Sequence, residues 1–121
     1  MIRLTQILTE NIDRSKLRVK TATIGGLLVY MLYYDTKKIG ALRLKPRGSD
    51  YRVHGVVVYD RWRGQGFGTG LYKFAIRKLA QDAKKLYSDY TRSAEATNIW
   101  NRLVADGLAE KNPDGAYVSV I

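Results

Sequence analysis

The stretch VVVYDRWRGQGFGTGLYKFAIRKL, residues 56–79, decides the fold. Its first residues complete YRVHGVVVYD, residues 51–60, a run of strand length whose uninterrupted valines predict a strand buried on both faces in the middle of a sheet. Its last residues set Leu71, Phe74, Ala75 and Leu79 at helical spacing, continued by Ala83, which predicts an amphipathic helix from residue 69 to about residue 83. Between them lie Gly64, Gly66, Gly68 and Gly70. A loop entering a helix presents unpaired backbone N–H groups at the positive end of the helix dipole, and glycines let an anion approach that backbone closely. The loop therefore reads as a phosphate cradle.

Spacing narrows the phosphate. A P-loop needs a lysine after its last glycine, and Gly70 is followed by Leu71. The dinucleotide pattern GxGxxG fails as well, because the third glycine is replaced by Thr69 in one register and by Leu71 in the other. The kinase glycine loop fails by the same count, and the chain is too short for the remaining kinase elements. What fits is [Arg/Gln]-x-x-Gly-x-[Gly/Ala], matched by Arg63, Gly66 and Gly68.

Upstream of this stretch, LLVYMLYY (residues 27–34) and IGALRLK (39–45) form a predicted hairpin across DTKK, and KPRGSD turns the chain into the long strand. Residues 2–20 are the least readable part, with room for a first strand or a short helix. Downstream, KLYSDY (85–90) is a short strand candidate. Ser93 caps a second helix with Glu95 in its first turn, Ala96, Ile99, Trp100, Leu103 and Val104 form its apolar stripe, and Gly107 ends it. The turn NPDG, residues 112–115, folds a closing hairpin. The order predicts an α/β protein, a mixed sheet flanked by helices.

With 121 residues the chain makes a single domain, 1–121, and 45% hydrophobic residues supply a modest core. No apolar run is long enough to span a membrane and no export signal is evident, so a cytoplasmic protein is expected. No cysteine and one histidine leave no basis for a thiolate or multi-histidine metal site. The 21 Lys and Arg against 11 Asp and Glu give a net charge of +10, which favours anionic partners without choosing among them. These cations are spread along the chain rather than gathered in one tail.

In the strand, loop and helix around Arg63, Gly66 and Gly68, and in the order of the elements that follow, the sequence resembles the GNAT family of N-acetyltransferases over about residues 27–121. The resemblance implies a GNAT-like, splayed mixed β-sheet with acetyl-CoA lying in the gap beside the central strand. It implies that the loop from Arg63 through Gly64, Gln65, Gly66, Phe67, Gly68 and Thr69 holds the CoA pyrophosphate. It also implies that Val58 and Tyr59 give main-chain contacts to the pantetheine arm and thioester.

His54 lies near the family's usual catalytic glutamate, and histidine suits a base near neutral pH. The family's general-acid tyrosine, counted back from Gly107, falls on Leu103, so Tyr87, Ser88, Asp89 and Tyr90 on the facing strand become the substitute candidates. Only about 20 residues stand where family members place two acceptor-covering helices, which predicts an open acceptor side suited to a protein lysine or N-terminus. Small basic members of this kind also look like accessory proteins of bacteriophages. The competing readings are a catalytically silent binding module and, less favoured, a nucleic-acid-binding domain. Exposed strand edges admit a monomer or a homodimer.

Overall fold

Gly25 and Gly26 both take positive φ (60° and 81°), the conformation of a two-residue hairpin turn. They join β1 (Leu17–Ile24) to β2 (Leu27–Tyr34) in unbroken antiparallel register from Leu17↔Tyr34 to Ile24↔Leu27. The chain is a computed structural model that describes residues 13–89 and 91–121. A first strand thus exists, but it begins near the end of the segment where it was sought. Its one-sided alternation is masked in the sequence by Thr21 and Thr23. The part of that segment before residue 13 lies outside the described residues.

A second tight turn at Asp35 and Thr36 leads from β2 to β3 (Lys37–Arg47), and β3 pairs antiparallel with β4 (Asp50–Val58). The KPRGSD turn is thereby corrected to the two residues Gly48 and Ser49, with Gly48 at φ 61°, because the strands continue through Pro46 and Arg47. The glycine loop feeds α1 (Phe67–Ala80), which starts two residues earlier and stops sooner than its apolar spacing indicated. After the short β5 (Leu86–Tyr87) come α2 (Ala94–Ala105), β6 (Ala109–Lys111) and β7 (Tyr117–Ser119). The sheet order is β1-β2-β3-β4-β5-β7-β6.

Both ends of α2 follow their sequence signals. The Ser93 hydroxyl accepts from the Ala96 N–H at 3.0 Å. At the other end Gly107 turns left-handed at φ 78°, its N–H bonds Val104 C=O, and Leu108 N–H reaches Leu103 C=O, which is a Schellman closure.

One core unites one face of the sheet with both helices. Tyr30, Leu42, Leu44, Leu71, Ile76 and Trp100 are among its fully enclosed members, and Trp100 meets Tyr72 edge to face at 5.5 Å and stacks on Tyr117 at 5.7 Å. Burial of β4 on both faces is corrected. Of the consecutive valines Val56, Val57 and Val58 only Val58 is buried, Val56 is half-buried and Val57 is 39% exposed, while Val53 earlier in the strand is buried in the core. The physical reason is that β5 leaves β4 after two pairs, and among the described residues neither helix crosses to the far face.

Candidate functional site

The gap begins where β4 loses its neighbour. Parallel pairing with β5 is confined to Tyr51↔Leu86 and Arg52↔Tyr87, so from Val53 to Val58 the strand has a partner only on its β3 side. Across that partner the register steps from Leu44↔Val53 to Arg43↔Gly55, which makes His54 the extra residue of a bulge. The bulge sets Val53 and Val56 both on the core face and turns His54 out to solvent.

Two buried hydroxyls hold the short β5 against β7. Ser119 Oγ accepts from Leu86 N–H at 2.8 Å, and Ser88 Oγ accepts from Tyr117 N–H at 2.9 Å and from Arg92 Nη1 at 3.2 Å. Ser88→Ala leaves the buried Tyr117 N–H without that acceptor, a loss of about 1–3 kcal/mol. Urea unfolding reads this directly, and an unchanged midpoint would remove the hydroxyl from the list of stabilising contacts.

At the far end of β4, the Tyr59 N–H bonds Ile39 C=O at 3.0 Å and the Tyr59 C=O accepts from Trp62 N–H at 2.7 Å. Since successive residues of a strand turn their amides to opposite sides, the Val58 amide faces the open side. A single 3-10 turn, Asp60–Trp62, then carries the chain into the glycines. The Trp62 ring is set between Tyr34 and Phe67 at 5.2 and 6.1 Å, and this anchors the loop to β2 and α1.

Gly64 and Gly66 both have positive φ, 74° and 86°, a conformation that a side chain would strain. Gly66 is the N-cap of α1 and supplies no side chain to the first-turn amides, which stay available to an anion. Gly68 fits for a different reason: a Cβ there would stand 3.2 Å from the Ile99 Cδ1 methyl of α2. Arg63 reaches Asp60 at 3.7 Å and Glu95 at 3.6 Å, exposed ion pairs that tie the loop loosely to α2.

Two cavities follow this gap. One of about 420 Å³ is lined by Val58, Arg63, Gly64, Gly68, Ile99 and Arg102, and so joins the loop to the facing side of α2. The second, of about 190 Å³, is lined by Val53, Gly55, Val56, Tyr72, Arg92 and Trp100. Tyr72 Oη, Trp100 Nε1 and Arg92 Nε are buried without a hydrogen-bond partner, and all three residues line this second cavity. Burial, reinforced by the charges of Asp89 and Glu95, pushes the Tyr72 phenol well above the ordinary tyrosine range.

The chain matches the sequence profile of the acetyltransferase (GNAT) family over residues 6–103. The chain belongs to the GNAT family. Solved members share its fold. A GNAT family acetyltransferase from Elizabethkingia anophelis with acetyl-CoA bound is similar at a TM-score of 0.63 and 16% identity, over 80% of this chain and 78% of that one. A Bacillus subtilis acetyltransferase in complex with CoA gives 0.64 and 12%, over 88% of this chain and 100% of that one. The ribosomal-protein-S18-alanine N-acetyltransferase from Escherichia coli gives 0.59 and 13%, over 97% and 87%. No curated protein matches the chain by sequence.

Within this GNAT fold the sequence-derived candidates separate. The loop residues Arg63 to Thr69 and Val58 come together around one cavity, except that Gln65 is not among its lining residues. Tyr59 lies outside the lining too and has both main-chain groups engaged. His54 is exposed on the bulge and lines neither cavity. Tyr87 is half-buried beneath the Arg47 guanidinium, 3.9 Å from its ring centre. Ser88 is enclosed in the β5–β7 contact, and Tyr90 lies outside the described residues. Tyr72 and Arg92 were missed. Tyr72 is hidden within the apolar stripe of α1, and its unpaired hydroxyl has no signal in the sequence. Among the described residues there is no cluster of potential metal ligands, and no helix is long and apolar enough to cross a membrane.

Proposed function

We propose that the protein transfers the acetyl group of acetyl-CoA to an amine on a macromolecule, a protein lysine or a chain N-terminus. The observation that carries this reading is the uncapped, glycine-built head of α1 opening into a gap alongside an unpaired stretch of β4. The structural likeness to proteins with acetyl-CoA and CoA bound supports the same ligand. The residues fit it, with left-handed glycines and free first-turn amides for the pyrophosphate and the open-side amide of Val58 for the arm.

Acetyl-CoA supplies an activated acyl carbon. The amine attacks that carbon, the new C–N bond forms, the C–S bond breaks, and the amine's proton leaves as the thiolate gains one. In this reading the Tyr72 hydroxyl, kept protonated by burial, donates a hydrogen bond to the negative charge that develops in the smaller cavity. His54 at the bulge and Tyr87 on the facing strand line neither cavity, so in this reading their part is to relay the amine's proton through water.

Calorimetric titration tests the ligand, and intact-mass spectrometry of proteins incubated with acetyl-CoA tests the transfer. Binding retained with desulfo-CoA, weak with ATP, and accompanied by acetylated protein is expected. Binding with no turnover on any amine would convert the protein into a silent GNAT-fold module, and no binding would end the reading.

A further inference from the structure

Strand alternation gathers part of the molecule's positive charge on one face. Between Arg14 and Ser49 stand nine Lys and Arg side chains and one carboxylate, Asp35, which occupies the turn between β2 and β3. Strand alternation divides the side chains of β1–β3 by face. Leu17, Val19, Leu28, Tyr30, Leu42 and Leu44 point into the helix-covered core. On the other face stand Arg18 and Lys20 of β1 and Arg43, Lys45 and Arg47 of β3, all exposed, with no carboxylate contributed by any of the three strands. Among the described residues no helix packs on this face.

We propose that the exposed cations of this sheet face, which flank the buried Val29 and Ala41, bind a single-stranded nucleic acid through its phosphates, at the mouth of the gap. Arg43, Lys45 and Arg47 alternate along β3 and so repeat about every 6.7 Å, a regular row suited to a polyphosphate backbone. Two rings stand within the cationic field, Tyr33 under Lys20 Nζ at 4.8 Å and Tyr87 under the Arg47 guanidinium at 3.9 Å. Cations interleaved with aromatic faces form the common platform for single strands, because every base has a face to stack. The row also leads to the site. The Arg43 guanidinium lies over Gly55, 3.2 Å from the position a Cβ would take, and Gly55 lines the smaller cavity. A strand held there brings the amines of its own assembly to the gap. The binding itself does not depend on acetyl transfer.

Fluorescence anisotropy of a labelled oligouridine tests this with the full chain, comparing Arg43→Glu/Lys45→Glu with Arg77→Glu/Lys78→Glu, an equal charge change on the exposed side of α1. The face variant is expected to lose roughly tenfold or more in affinity. It is also expected to flatten the salt dependence by about 0.7 per lost phosphate contact, while the α1 variant stays close to wild type. Acetyl-CoA titration of both variants verifies the fold and separates this result from failure of the enzyme reading. The proposal is overturned by equal loss in both variants, by no oligouridine binding in wild type, or by polyglutamate competing as well as oligouridine, which would assign the face to an acidic protein.

Discussion

Gly66→Glu removes acetyl-CoA binding by at least about 100-fold, which corresponds to about 2.7 kcal/mol. The substitution sets a carboxylate at the N-cap of α1, where it repels the pyrophosphate and offers its own oxygens to the first-turn amides that the phosphate needs. It also forces a side chain into φ 86°, a left-handed conformation that costs about 1–2 kcal/mol of fold stability. Gly66→Ala carries the strain without the charge and separates the two effects. It should melt earlier, as the glutamate variant does, yet keep most of the affinity. Calorimetry at a temperature where both variants are folded decides. Equal affinity for acetyl-CoA in wild type and glutamate variant would mean that the cofactor's phosphates do not lie at this helix end.

Tyr72→Phe slows turnover by roughly tenfold to 100-fold, the range for losing a donor to developing charge, and leaves the KM for acetyl-CoA nearly unchanged. Stability moves the other way. The wild-type hydroxyl is buried without a partner, so its removal is neutral or stabilising by about 1 kcal/mol or more. A tyrosine present only for packing would give the second effect without the first.

Alkaline pH supplies a further readout of the same side chain. The folded protein holds the Tyr72 proton more tightly than the unfolded chain, whose ordinary value is 10.0. The resulting stability is fully present below that pH and falls as pH rises beyond it. Phenylalanine removes that contribution to the alkaline loss, whereas Tyr30, raised by burial and by its neighbours Tyr51 and Asp82, retains its own.

The loop, both helices and the closing hairpin were legible because their signals are local. Arg63, Gly66 and Gly68 encode a turn that only small residues satisfy, and Ser93 and Gly107 mark the ends of α2 through single hydrogen bonds and a single φ angle. What escaped the sequence depends on partners distant in the chain. Three consecutive valines read as doubly buried, yet Val57 is exposed because β5 departs, and nothing within residues 51–60 reports that departure. The first strand was obscured because Thr21 and Thr23 interrupt its apolar alternation. The pairing of Ser88 with Tyr117 and the isolation of the Tyr72 hydroxyl are likewise relations between elements, invisible until the chain is folded. The cations are spread along the chain as the sequence shows, and strand alternation then sorts those of β1 and β3 onto one face, which a linear reading does not display.

The brevity of β5 gives the protein a mechanical character. Four antiparallel strands form one plate and β7 with β6 forms another; the backbone weld between them through β5 is narrow, and Tyr117 of the far plate is also held by its stack on Trp100 in the shared core. Such a joint is thin in hydrogen bonds but clamped by side chains from one continuous core, so the wedge between the plates keeps a set opening. A molecule lying in that wedge meets an opening that the core has already set.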